Sequence, residues 1–223
     1  MTGTVKPEEA LRDYYNQRAQ EFESIYHRDD PIRQQEQNNI SKVMKEVLRD
    51  RSILEVACGT GFWTQIASQT ARHIVAIDSS TEMLQIAKSK MIQLNKVSFH
   101  QADAYALSGV PGNFEGGLAN FWFSHIPKMR INEFLLGFHK KIVKHGAVFM
   151  ADNIYMPGVG GELVTQSGSE DTFKVRKLAN GSSHVVLKNY YTKNQLRDIF
   201  TPFTVNLNIH LGSCFWWVSY EVA

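Results

Sequence analysis

The chain reads as a doubly wound α/β protein built around one mostly parallel sheet. Three observations carry that reading. Short apolar runs alternate with amphipathic stretches through the middle of the chain. One run, Leu54-Glu55-Val56-Ala57, breaks into the turn Cys58-Gly59-Thr60-Gly61, and the next run ends in an acid, Asp78. The last quarter changes grammar, with strand-like runs joined by turns too tight for a helical crossover.

The elements follow in order. Leu11, Tyr14, Tyr15, Phe22 and Tyr26 recur at helical spacing until Asp30-Pro31 breaks the pattern. Ile40, Val43, Met44, Val47 and Leu48 form the apolar stripe of a second helix. Strands are expected at Ser52–Ala57, His73–Ile77, Val97–Gln101, Phe114–Phe121 and Ala147–Ala151. Helices are expected between them at Phe62–Ala71, at Ser80–Leu94 behind a serine N-cap, and from Ile131 to Ile142. Without room for hairpins, these units imply right-handed crossovers and parallel pairing. Beyond them, Thr172–Leu178 and Ser183–Tyr190 flank Asn180-Gly181, a hairpin signal because both central residues of a type I′ turn need positive φ. A helix at Lys193–Phe200 and an antiparallel pair, Phe203–Ile209 with Cys214–Tyr220, close the chain.

Composition narrows the function. A length of 223 residues suits one well-filled domain with a lid or insertion. A formal charge of only +2 gives no reason to expect a nucleic-acid or polyphosphate partner. Cys58 and Cys214 have no disulfide or metal-ligand spacing and read as buried thiols in a reducing compartment. With no apolar leader and no run near the ~20 residues of a membrane span, the expected setting is cytoplasmic and membrane-free.

The glycine turn selects among cofactors. A dinucleotide fingerprint needs a third glycine, but Thr64 stands there, and a P-loop needs Gly-Lys-Ser or Gly-Lys-Thr. Acids at Glu55, Asp78 and Asp103 would repel a pyrophosphate. They suit a ligand with a sulfonium, an ammonium group, ribose hydroxyls and an adenine amine.

At these positions the sequence resembles the class I S-adenosylmethionine-dependent methyltransferases of small-molecule type. Glu55-Val56-Ala57-Cys58-Gly59-Thr60-Gly61 resembles the first family motif, and Ala76-Ile77-Asp78-Ser79-Ser80 with Met83 the second. Gln101-Ala102-Asp103-Ala104 resembles the segment that meets adenine. The resemblance implies a seven-stranded sheet with a reversed last strand, an N-terminal helical lid over 1–50, a cofactor core over 51–153, a hairpin insertion over 154–191 and a C-terminal part over 192–223. It implies S-adenosylmethionine as cofactor. Gly59 and Gly61 would lie against the methionine and ribose, with Ala57 beside them. Asp78 and Ser79 would meet the ribose, and Met83 the adenine face. Asp103 would take the adenine amine, with Ala102 and Ala104 flanking it. Glu55 and Asn120 would line the methionine end, and Tyr14 resembles the lid tyrosine.

Plainer readings stand beside these. Met83 shares a helical stripe with Ala87 and Met91, so core packing competes with adenine contact. Tyr14 and Tyr15 could simply pack. Methyl transfer from a sulfonium needs alignment rather than a covalent nucleophile. A base helps only an acceptor that carries a proton of high pKa, and His125 is the candidate, against a role in fixing its loop. Asp152-Asn153 resembles part of a catechol-type metal site, but Asn120 stands where that site has an acid, so no metal is expected. The acceptor is expected to be a small aromatic or lipophilic molecule. The rival readings are a non-catalytic S-adenosylmethionine-binding module and a nicotinamide-dependent oxidoreductase.

Overall fold

The computed structural model describes residues 7–90 and 95–223. Seven strands form the central sheet: β1 (Ser52–Val56), β2 (His73–Asp78), β3 (Val97–Gln101), β4 (Phe114–Asn120), β5 (Ile142–Asn153), β9 (Thr204–Leu211) and β10 (Phe215–Val222). Their order is β3-β2-β1-β4-β5-β10-β9. The first five are parallel, while β10 runs antiparallel to both β5 and β9. The chain reverses its direction of travel across the sheet between β1 and β4, and the carboxyl ends there open a crevice for ligands. A smaller antiparallel sheet holds β6 (Leu163–Thr165), β7 (Thr172–Lys177) and β8 (Ser183–Leu187). It contains the expected hairpin and one additional short strand.

Alternation along the strands separates two cores. Leu54 and Val56 of β1 and Val75 and Ile77 of β2 face one layer, with α5 (Ile131–His139) and α6 (Lys193–Phe200). Ile53, Ile74 and Ala76 face the other, with α2 (Pro31–Val47), α3 (Phe62–Ala67) and α4 (Thr81–Ser89). The stripe expected on α2 is confirmed by burial of Ile40, Met44 and Leu48. Asp30 accepts from Arg33 N to cap α2, with Pro31 at its first turn. The Ser80 hydroxyl accepts from Met83 N to cap α4. The end expected for that helix, 91–94, lies outside the described residues. A full capping box joins Thr192 and Gln195 at the start of α6.

Two glycines of β4 set how closely the layers approach. A Cβ on Gly116 would lie 3.1 Å from Leu48 Cδ2 of α2. One on Gly117 would lie 2.5 Å from Ile142 Cδ1 and 2.6 Å from Phe138 Cζ of α5. Phe138 is fully buried against Phe134 and cannot swing away. Gly117→Ala should therefore cost about 1–3 kcal/mol of stability by overpacking. Urea unfolding would register this, and an unchanged midpoint would refute the close approach.

The N-terminal part runs as α1 (Pro7–Arg18) and then a 3-10 segment, Ala19–Tyr26. It crosses the carboxyl edge of the sheet above the glycine turn.

Candidate functional site

A cavity of about 460 Å³ opens at the carboxyl ends of β1, β2 and β4, within the size range of small-molecule sites. Glu55, Ala57, Gly59, Asp78, Ser79, Met83, Ala102, Asp103, Ala104, Asn120 and His125 all line it. One sheet edge thus gathers residues spread over 71 positions of sequence, from Glu55 to His125.

The backbone around the turn is unusual. Ala57 (φ 52°), Gly59 (φ 56°) and Gly61 (φ 75°) all lie in the left-handed region. Phe121, just after β4, joins them at φ 59°. Strained non-glycine residues at two strand ends beside one cavity mark it as the functional edge. Asp78 binds the turn together: its Oδ2 accepts from Gly59 N at 2.8 Å and its Oδ1 from Ser80 N at 2.8 Å. Burial raises the Asp78 pKa above the ordinary carboxylate value, against the lowering effect of those N–H groups.

Gly61 has a different task from the one expected. It does not line the cavity; its open side faces α4, where a Cβ would lie 3.0 Å from Ala87 Cβ. The small residue lets α3 start against α4. Tyr14 also departs from expectation. It is buried with Leu11, Leu178 and Val186, and Tyr15 is the tyrosine that reaches the cavity.

Glu55 lies deepest. It is 2 % exposed, its Oε2 has no hydrogen-bond partner, and burial with the Asp78 charge nearby lifts its pKa to about 8. Asn120 donates to Met44 Sδ at 3.4 Å, while its buried Oδ1 is unpartnered. Two unsatisfied acceptors in one cavity call for a donor from a ligand.

The N-terminal segment covers this edge. Thr60 Oγ1 donates to Glu23 Oε1 at 2.7 Å, and Lys90 pairs with the same carboxylate. Phe22 lies over Gly59, and Tyr26 stacks on Phe62 at 3.9 Å. The Tyr15 hydroxyl meets His125 Nε2 at 2.8 Å, while His125 Nδ1 meets Leu187 O at 2.8 Å. The carbonyl can only accept, so Nδ1 carries the proton and Nε2 accepts from Tyr15. Burial and the nearby Lys188 charge lower the His125 pKa to about 3.

Asp152 at the end of β5 is fully buried. Its Oδ1 receives Lys188 Nζ at 3.0 Å and Asn153 N at 2.7 Å, and its Oδ2 receives Ser124 N at 2.8 Å. Lys188 also donates to Ser124 Oγ at 2.5 Å. The carboxylate that resembled a metal ligand is thus committed to an internal cation. Among the described residues, no group of three or more His, Cys, Asp and Glu side chains could hold a metal ion. Likewise, no described helix is long and apolar enough to cross a membrane.

Comparison with known proteins agrees with this geometry. Residues 53–146 match the family model of a methyltransferase domain. Among solved structures, the complex of DhpI with SAH has a TM-score of 0.77 at 20% identity, covering 97% of this chain and 97% of that one. Magnesium protoporphyrin IX methyltransferase from Synechocystis PCC 6803 with bound SAM gives 0.68 at 12%, covering 100% of both chains. The 1,6-didemethyltoxoflavin-N1-methyltransferase of Burkholderia thailandensis gives 0.64 at 14%, covering 100% and 93%. A sequence comparison with curated proteins yields no match. The fold is that of the class I S-adenosylmethionine-dependent methyltransferases. Within it, the segment that matches the methyltransferase-domain model, residues 53–146, is the one that holds the glycine turn, Asp78, Asp103 and Asn120.

Two outcomes follow from the buried polar groups. Lys188→Met strands the Asp152 charge and should cost about 3–5 kcal/mol, most of it recovered when Asp152→Asn is added; urea unfolding of the three chains checks this. The folded-state pKa of His125, about 3, lies below its ordinary 6.5. Its contribution to stability is therefore complete above pH 6.5 and is lost as pH falls towards 3. His125→Gln should flatten the fall of unfolding free energy across that window. The readout is the difference between wild type and variant, because His139, held at about 4, adds a slope of the same sign and Glu55, raised to about 8, adds one of opposite sign in both chains.

Proposed function

We propose that the chain transfers the methyl group of S-adenosylmethionine to a small molecule, held in the cavity at the carboxyl edge of the sheet. The observation that carries this reading is the pair of unsatisfied buried acceptors, Glu55 Oε2 and Asn120 Oδ1, beside a turn closed by Asp78. An ammonium group supplies the donors that both lack, whereas a pyrophosphate beside the turn would face the acids Glu55 and Asp78. When bound, the cofactor supplies an electrophilic methyl on a positively charged sulfur.

The residues then divide by task. Asp78 and Ser79 receive the ribose hydroxyls, which offset the burial that raises the Asp78 pKa. Asp103, between Ala102 and Ala104, receives the adenine amine, and Met83 packs beneath the ring. Ala57 and Gly59 give the methionine portion a backbone surface without side chains in the way. Tyr15, Phe22, Tyr26, Phe121 and Trp122 wall the side where an acceptor enters and exclude water from it. An aromatic or lipophilic body fits such walls.

His125 stands at this wall as a positioning residue. A base with a pKa near 3 captures protons poorly at neutrality, but its Nε2 fixes the Tyr15 hydroxyl, and its Nδ1 anchors both to β8. The N-terminal helices and the 154–191 insertion serve as the lid. The two buried free cysteines support a cytoplasmic setting.

S-adenosylhomocysteine should raise the melting temperature of the protein and NAD should not. Asp78→Ala should weaken the calorimetric affinity for S-adenosylhomocysteine by about tenfold or more. Stabilisation by NAD alone, or an unchanged affinity in the variant, would overturn the reading.

A further inference from the structure

A second chamber, about 90 Å³, adjoins the first. Tyr15, Phe22, Tyr26, Phe121 and His125 belong to the linings of both, so the two meet along one shared border. The small volume suits a head group of a few heavy atoms rather than a ring system.

Its lining differs in charge from that of the cofactor cavity. Arg18 of α1, Arg28 before α2, Arg33 of α2 and Arg176 of β7 converge there with Lys188, and no aspartate or glutamate does. Lys188 is neutralised by Asp152. Among the described residues none of the four arginines has a carboxylate partner. Arg33 is more than nine-tenths buried, and its guanidinium rests on the face of Phe215 at 4.7 Å. The nearby acids are already used. Glu36 accepts from Ser213 N, Cys214 N and Phe215 N, and Asp30 caps α2 through Arg33 N.

Gathering like charges is unfavourable, and at Arg28 the charge of Asp30 offsets it only in part. Burial, followed by the charges of Arg33, Arg18 and Arg176, lowers the pKa of Arg28. Gly160 makes space for the cluster, since a Cβ there would collide with the Arg176 guanidinium. Guanidinium groups that line one small space fit an oxyanion, which they can hold by charge-assisted hydrogen bonds.

We propose, resting on the cofactor reading above, that this chamber seats an oxyanion head group of the methyl acceptor (a carboxylate, phosphate or phosphonate). Arg18, Arg28, Arg33 and Arg176 grip it. The body of the acceptor passes Tyr15 and His125 into the larger cavity. Cationic acceptors are rejected by like charge.

The test is calorimetric titration of the full chain, saturated with S-adenosylhomocysteine at fixed ionic strength. The probes are inorganic phosphate, methylphosphonate, acetate and, as a control, methylammonium. Saturable binding of at least one oxyanion and none of methylammonium is expected. Arg28→Gln and Arg176→Gln, both away from the buried core, should each weaken that binding about tenfold while the affinity for S-adenosylhomocysteine is unchanged. Phosphate or methylphosphonate binding above acetate identifies a phosphorus head group, and the reverse order identifies a carboxylate. Absence of saturable oxyanion binding by the loaded protein, or equal binding by wild type and both variants, overturns this seat alone. Failure to take up S-adenosylhomocysteine overturns the cofactor reading, and the acceptor seat with it.

Discussion

A carboxylate at the end of β5 has no water around it, and much of the active edge is organised by that fact. Fully buried, Asp152 must be matched by a cation and several donors; Lys188, Ser124 N and Asn153 N provide them. The pair fastens the smaller sheet to the central sheet, because Lys188 directly follows β8 and Ser124 belongs to the turn after β4. Asn189 continues the seam, donating its N–H to Ser124 O at 2.8 Å and its side-chain amide to Ile126 O at 3.0 Å. His125 is held inside this seam, and Tyr15 is held by His125. A buried ion pair is weak evidence for net stability, since hydrophobic replacement of both partners is often neutral. Its value here is placement: satisfying the charge ties the end of β8 to the end of β5.

The second organising group, Asp78, works in a similar manner at lower cost. Backbone N–H groups of Gly59 and Ser80 converge on its two oxygens, joining the end of β1 to the start of α4. The left-handed backbone at Ala57 and Gly59 is held in place by that clasp. The turn is thus shaped by contacts within the chain itself, which lowers the ordering cost of binding.

Much of the fold was legible because it rests on local periodicity. The five parallel strands, the α2 stripe, the Asn180-Gly181 hairpin and the final antiparallel pair each leave a pattern a few residues long. Elements without a pattern were missed. Strand β6 is three residues set among Gly158, Gly160, Gly161 and Gly168, and nothing in its own sequence announces a strand. The helix expected to reach Ala71 stops at Ala67, where the bonding tightens to three-residue turns, Gln69 N to Ile66 O and Thr70 N to Ala67 O. Neighbouring tyrosines on one helix point about 100° apart. Only the hairpin residues Leu178 and Val186 decide that Tyr14 packs and Tyr15 lines the cavity. The motif residues gathered at the cavity as read, except Gly61, whose need for a bare backbone comes from Ala87. The arginine cluster was illegible for a simple reason. Its members stand at 18, 28, 33 and 176, and a net charge of +2 averages them away.

One continuous strap, from α1 through the 3-10 segment to the start of α2, roofs both chambers. Its Glu23 is latched to Thr60 on the glycine turn, and its Arg18, Arg28 and Arg33 form most of the cationic lining. Arg18, Arg28 and Arg33 thus stand on the same stretch of backbone that Glu23 fastens to the glycine turn, so the cationic lining and the roof of the larger cavity share one support.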